Sequence, residues 1–298
     1  MLLFKKTGIA LCFYGMAALS FADSNSTPQT FTGYSYAAFG YQSLHYTESP
    51  SLIHFRTTAN TSNITFVSGG LFEVNDLYDF SLDTESSLFN TPADEHWTNT
   101  STLNIPGTNQ SIGPDTVVQT DRLQMDVGMV RAMLHYKVSN AFRLLGGLTY
   151  MSLDSKRFLP TTPFPSLIKT SGSLVDERDD TISPSVGFAW ESGALAQQRQ
   201  RWRIRTVLDL PLFRQVTNSQ IASPISSGFD WGLDLSGAYD LRVYKGLEVG
   251  VLSDYFYRRG TSVTFGTSGG TAEYPQHTLS QFFVGFEIGW NLQHNHDH

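Results

Sequence analysis

The stretch that decides the fold is Gln281-Phe282-Phe283-Val284-Gly285-Phe286-Glu287-Ile288-Gly289-Trp290-Asn291-Leu292. Phe282, Val284, Phe286, Ile288, Trp290 and Leu292 share one face, and Gln281, Gly285, Glu287, Gly289 and Asn291 share the other. Apolar residues at every second position specify a strand with one apolar and one polar face. The same period returns upstream. Ile182, Pro184, Val186, Phe188 and Trp190 oppose Ser183, Ser185, Gly187, Ala189 and Glu191. Trp202, Ile204, Thr206, Leu208, Leu210 and Leu212 oppose Arg201, Arg203, Arg205, Val207 and Asp209. Phe229, Trp231, Leu233, Leu235, Tyr239 and Leu241 oppose Asp230, Gly232, Asp234, Ser236, Asp240 and Arg242. Leu247, Val249, Val251, Tyr255 and Tyr257 oppose Glu248, Gly250, Asp254 and Arg258.

A soluble sandwich alternates in the same way, and three features separate this chain from one. Its strands run ten or more residues, against a usual ~5–6. Aromatic residues (Trp190, Trp202, Phe229, Tyr239, Tyr257, Trp290) stand near the ends of the apolar faces, as in an interfacial girdle. The polar faces carry Arg, Asp and Gly at mid-strand, which suits a wet lumen.

Composition agrees. Of 298 residues only 16% are charged, below the ~25% of soluble domains, while aromatics reach 13%. Twenty Lys+Arg against 27 Asp+Glu, with no basic run, exclude a phosphate-binding surface and with it nucleic acid. Lys5-Lys6, the apolar run Gly8–Phe21 and the small-x-small Ser20-Phe21-Ala22 read as a signal peptide over 1–22, too short to span a bilayer. Cleavage there leaves 276 residues of charge −9 and removes Cys12, the sole cysteine. Disulfides, thiolate metal sites and thiol nucleophiles are excluded from the mature protein.

Ten strands follow at 33–46, 62–74, 77–89, 121–137, 141–157, 181–191, 201–214, 228–242, 246–262 and 279–292. A switch of apolar parity between Met129 and Val130 predicts a bulge. The connections at 75–76, 138–140, 192–200 and 243–245 are short, and those at 47–61, 90–120, 158–180, 215–227 and 263–278 are long. Open edges cannot exist in lipid, so the sheet must close. The fold class is all-β: a closed antiparallel transmembrane β-barrel of about ten strands over 23–292, with short periplasmic turns, long extracellular loops and a His-rich tail at 293–298.

The whole mature chain resembles the bacterial outer-membrane β-barrel superfamily in a ten-stranded form. Gly285, Ile288 and Trp290 match that family's assembly signal in the last strand, and Phe283 stands where a polar residue is usual. The resemblance implies an outer-membrane location reached through the periplasm. It implies contact with outer-membrane lipids and lipopolysaccharide, and dependence on the barrel assembly machinery. No cofactor is expected. The expected function is non-enzymatic: a small or obstructed channel for small solutes, or a structural protein that binds surface ligands through its loops.

The alternative is a hydrolase at the extracellular rim. Ten-stranded barrels include the omptin proteases, where a paired Asp and an Asp-x-His face each other across the mouth. Asp94-Glu95-His96 matches the Asp-x-His, but no Asp-x-Asp occurs anywhere. A lipid hydrolase would need a rim Ser–His pair, for which His45 near Thr47 and His135 near Ser139 lack an acid partner. His294, His296 and His298 are candidate metal ligands on a tail whose geometry nothing fixes. The strongest candidate site is a charge network in the lumen. Arg201, Arg203 and Arg205 should point inward near the periplasmic end, at the height of Glu191, Asp240 and Glu248, with Glu287 across the barrel. Buried charges persist only when paired, so this network should fill and constrict the periplasmic half.

Overall fold

The computed structural model describes residues 33–291, apart from 51–53, 106, 108, 166–174, 193–198, 220, 226–229, 245 and 268–269. The signal segment with Cys12, Phe229, Leu292 and the 293–298 tail therefore lie outside the described residues.

The strands are β1 (Gly33–Ser49), β2 (Phe55–Glu73), β3 (Tyr78–Thr91), β4 (Ala93–Asn99), β5 (Leu103–Asn104), β6 (Ser111–Ile112), β7 (Val117–Lys137), β8 (Phe142–Thr161) and β9 (Val175–Glu191). They continue with β10 (Gln200–Asp209), β11 (Phe213–Asn218), β12 (Ile221–Ile225), β13 (Asp230–Tyr244), β14 (Leu247–Gly260), β15 (Val263–Thr267), β16 (Gly270–Tyr274) and β17 (Gln276–Asn291). Ten staves make the wall, each antiparallel to its neighbours: β1, β2, β3 with β4, β7, β8, β9, β10 with β11, β13, β14 and β17. β17 pairs back onto β1, as in Tyr34 opposite Asn291, so the hydrogen-bonded ring has no open edge in the membrane. Two staves are interrupted, one at Pro92 and one around Pro211, where proline cannot donate to the ladder. β5 with β6, and β15 with β16, form small hairpins at the long-loop end, where β12 pairs with β11.

The outer surface carries the apolar sets read from the alternation. Val186, Phe188, Trp190, Leu233, Leu235, Tyr239, Phe282, Val284, Phe286, Ile288 and Trp290 are all exposed on the outer wall. The apolar runs Ile182–Trp190, Leu233–Leu241 and Phe282–Trp290 each cover nine residues, the ~9–11 that a tilted strand needs to cross a bilayer. Aromatic pairs mark both edges of this belt. Trp190 meets Trp202 edge-on at 4.5 Å and Tyr78 meets Tyr136 at 5.5 Å on the short-turn side. Trp231 and Tyr257, 5.2 Å apart, mark the long-loop side.

The strands continue past the belt, which the alternation did not show. β2 starts at Phe55 rather than 62, β7 at Val117 rather than 121, and β9 at Val175 rather than 181. Beyond the belt the outer face is polar, with Gln124 and Asp126 of β7, Asp154 and Lys156 of β8, and Asp176, Arg178 and Asp180 in the extension of β9. A strand standing in water on its outside loses the apolar–polar contrast that reveals it. The long loops are correspondingly shorter than expected.

The same extension corrects the expected bulge at Met129–Val130. Pairing runs unbroken there, with Met129 opposite Met151 and Glu85, and Val130 opposite Tyr150 and Thr84. Odd positions of β7 point inward along the strand: Leu123, Met125 and Val127 above, Arg131, Met133 and His135 below. The parity switch arises because the upper inward face is apolar and the upper outward face is wet. Register shifts fall elsewhere: between Ile64 and Thr65, Trp97 and Thr98, Thr120 and Arg122, Val216 and Asn218, and Arg242 and Tyr244. β1, whose faces the sequence left unassigned, turns Tyr34, Tyr36, Ala38, Gln42, Leu44 and Tyr46 inward and Phe39 and Tyr41 outward.

Candidate functional site: a lumen in three layers

Inward residues two positions apart step through the lumen, so each strand contributes to successive layers. β14 offers Asp254, Phe256 and Arg258; β17 offers Gln281, Leu279 and His277; β13 offers Asp234, Gly232 and Asp230. Each triplet passes from polar through apolar or small to polar.

The periplasmic layer contains the network expected from the sequence, with different partners for two members. Arg201 lies 3.2 Å from Asp240 and 3.1 Å from Glu248, its guanidinium 3.4 Å above the Tyr34 ring. Arg203 pairs with Glu287 and approaches Asp240 at 3.5 Å. Arg205 instead crosses the lumen to Asp83. Glu191 faces Arg143 at 3.6 Å, and Arg143 donates to Asp79 at 2.9 Å. Above this layer lies a cavity of ≈ 80 Å³ between Tyr36, Asp83, Glu85, His135, Arg203 and Arg205, with room for several water molecules. Arg131 closes its upper side, donating at 2.6 Å to Asp234 and 3.0 Å to Asp209.

The middle layer is apolar. Leu44 and Tyr46 of β1, Ala59 of β2, Leu123, Met125 and Val127 of β7, Met151 and Leu153 of β8, Phe256 of β14 and Leu279 of β17 form one buried cluster. Six staves from around the ring therefore meet in one plug. Leu44, Leu123, Met125 and Leu279 are completely buried.

Above the plug, charge returns. Arg258 donates to Asp179 at 3.0 Å and to Asp230 at 2.6 Å. Arg214 binds the same two carboxylates at 2.8 and 3.2 Å. Arg157 bonds Glu48 and Glu95, each at 2.7 Å. Tyr274, from the hairpin joining β14 to β17, is folded in over this layer. Its ring lies 4.4 Å from the Arg214 guanidinium and its hydroxyl donates to Glu177 at 3.4 Å. Burial and the facing Glu177 push that hydroxyl well above the usual phenol range.

No family model matches the chain, and no curated protein matches its sequence. Solved structures do match. The outer membrane protease OmpT from Escherichia coli superimposes with a TM-score of 0.61 at 6% identity, over 90% of this chain and 99% of that one. The chain has the fold of a bacterial outer-membrane β-barrel. The translocator domain of the autotransporter NalP from Neisseria meningitidis also matches (TM-score 0.38, 10% identity, 96% and 97% coverage). So does the outer membrane protein OprG from Pseudomonas aeruginosa (0.34, 9%, 87% and 96%). Short turns at one end and long loops at the other orient this outer-membrane barrel with its short turns in the periplasm.

Within the barrel, the rim candidates do not assemble. Asp94 and His96 lie on the exposed outer side of β4, while Glu95 between them points inward. Asp94 is ion-paired with Arg122 at 2.9 Å, and His96 Nδ1 faces Thr120 Oγ1 at 3.3 Å. His45 faces the Asn60 carboxamide at 2.7 Å on the outer surface. His135 is inside, and its Nε2 meets Ser81 Oγ at 2.8 Å rather than Ser139. The candidate ligands His294, His296 and His298 lie outside the described residues.

Sequence reasoning missed Arg131, Arg143, Arg157 and Arg214 as lumen residues. For Arg131 and Arg143 the signal was present as parity, since each sits on the face opposite Leu134 or Leu144 in its own strand. Arg157 and Arg214 stand where the outer face has turned polar or the stave is broken, and parity gives no warning there.

Proposed function

We propose that this outer-membrane barrel is non-enzymatic, with a lumen obstructed by its own side chains and a working surface at its extracellular end. The observation that carries the proposal is the apolar plug of Leu44, Leu123, Met125, Phe256 and Leu279 between two layers of cross-lumen ion pairs. Barrels of about eight strands are filled by side chains while those of 16–18 leave channels, so ten staves belong near the filled end. An apolar constriction resists wetting, and the ion pairs on both sides hold the walls against it. The likeness to a protease is one of fold alone. The Asp94–His96 pair that would have supported hydrolysis points away from the mouth, with Asp94 engaged by Arg122. Lipids and lipopolysaccharide surround the belt, and the loops are the surface offered to ligands.

Solute permeation tests this. Proteoliposomes carrying the refolded barrel should not swell in isotonic arabinose or glycine, whereas an open porin control should. Swelling at the control's rate would refute an obstructed lumen.

A further inference from the structure

We propose that Asp179 of β9, Asp230 of β13 and His277 of β17 form a binding site for one divalent transition-metal ion of the zinc type, at the extracellular end of the lumen. This inference is independent of whether the barrel conducts.

The three side chains are buried and offer ligand atoms that all lie within 4.8 Å of one another. A contraction of about 1.5 Å at the widest pair would bring them to the spacing of a tetrahedral ion with N and O ligands. His277 supplies the observation independent of the carboxylates. It is 1% exposed, and its Nε2 has no hydrogen-bond partner. Its Nδ1 faces the Pro275 carbonyl oxygen at 3.5 Å, which assigns the proton to Nδ1 and turns the Nε2 lone pair into the cluster. That is the tautomer and backbone contact typical of a metal-ligating histidine. The ring is seated against Gly260, where an added Cβ would lie 2.7 Å from Nε2 and 2.9 Å from Asp230 Oδ1. Only glycine lets that backbone pass so close.

Charge bookkeeping points the same way. Arg214 and Arg258 bond both carboxylates and count against a cation there. They do not balance the whole layer, however. Around the Tyr46–His277–Tyr274 contacts sit five buried carboxylates, Glu48, Glu95, Glu177, Asp179 and Asp230. Facing them are three guanidiniums, Arg157, Arg214 and Arg258, so the layer holds two more carboxylates than guanidiniums. Asp121, buried just beyond, adds a further one. At the periplasmic end Glu73, Asp79, Glu191, Asp240, Glu248 and Glu287 are met by Lys137, Arg143, Arg201, Arg203 and Arg242. Surplus carboxylate is not confined to the upper layer, since Asp83, Glu85, Asp209, Asp234 and Asp254 below the plug face only Arg131 and Arg205. What distinguishes the upper layer is the unpartnered imidazole between its carboxylates. Surplus buried carboxylates are compensated by protonation or by a cation, and a dication bound at His277 would supply the latter. The guanidiniums then act as the outer layer that orients ligating carboxylates: Asp179 Oδ2 is fully used by Arg214 and Arg258, while Asp179 Oδ1 and both Asp230 oxygens accept one donor each and keep a lone pair. An imidazole with two carboxylates favours zinc-like ions over magnesium or calcium.

The experiment uses the full mature chain with H294A, H296A and H298A, so that the tail cannot bind, refolded and stripped with chelator. Titration with zinc chloride by calorimetry should give one ion per barrel. Zinc should also raise the temperature at which the folded, fast-migrating electrophoretic form is lost. Asp179→Asn and His277→Gln should each weaken binding at least tenfold. If either variant fails to fold, cobalt(II) added to the tail-substituted parent decides. A visible absorption band distinct from aqueous cobalt supports the site, and a spectrum identical to aqueous cobalt overturns it. Absence of zinc uptake by the parent, or uptake unchanged in both folded variants, overturns the proposal as well.

Discussion

Arg131 Nη1 donates to Asp234 Oδ2 at 2.6 Å across the lumen, tying β7 to β13, two staves that share no backbone hydrogen bond. Both side chains are essentially fully buried, and the second arm of Arg131 holds Asp209 on β10 at 3.0 Å. The barrel is thus braced internally as well as around its circumference.

Removing that brace should be costly. Arg131→Met leaves Asp209 and Asp234 buried without their cation, a loss of about 3–5 kcal/mol. The triple variant with Asp209→Asn and Asp234→Asn should recover much of it, because no orphaned charge remains. Urea unfolding followed by tryptophan fluorescence checks both values. Equal stabilities for all three proteins would show that the lumen is wet enough to re-solvate the carboxylates.

How far this architecture was legible varies with the strand. β17 was legible along Phe282–Trp290, because its outer face there meets lipid and its inner face is mostly polar or glycine. Phe283 was the exception and now has a reason: it points inward, fully buried against Tyr34, Tyr36, Ala38, Ala238 and Leu252. The upper half of β7 was misleading, since Leu123, Met125 and Val127 are apolar because they plug the lumen, not because they touch lipid. A period of two gives faces but not which face is inside. The periplasmic arginines were legible as an inward cluster beside a good lipid face. Their cross-barrel partners, such as Asp83 for Arg205, follow from ring closure and stagger, which one sequence does not encode locally.

The glycines of β17 carry a second prediction. A Cβ at Gly289 would collide with the Tyr34 hydroxyl and ring. Tyr34 in turn donates to Glu287 and lies under the Arg201 guanidinium. Gly289→Ala should therefore displace the ring and destabilise the barrel by about 1–3 kcal/mol, the usual cost of overpacking. Equilibrium unfolding measures it, and a Tyr34→Ala background should abolish most of the effect.

The lipid face can be mapped with one substitution at two depths. Phe286→Arg places a charge within the apolar belt and should cost about 2–4 kcal/mol, whereas Ser280→Arg, just beyond the Phe282 edge, should cost about 0–1 kcal/mol. Folding titrations into lipid vesicles compare the two. Similar penalties would mean that the upper membrane boundary has been drawn in the wrong place.

The constriction itself is the most direct target. The sequence alone placed it in the periplasmic network of Arg201, Arg203 and Arg205 with their carboxylates, and the structure adds an apolar plug above that network. Single-channel recording in planar bilayers should find the wild-type barrel silent at small voltages, and Arg203→Ala with Arg205→Ala should leave it so. A plug variant, Leu123→Ser with Met125→Ser and Leu279→Ser, should open discrete cation-preferring steps, because the carboxylates on both sides remain. Porin-sized steps in the wild type, or steps that open in the arginine variant while the plug variant stays silent, would contradict an apolar plug as the element that closes the lumen.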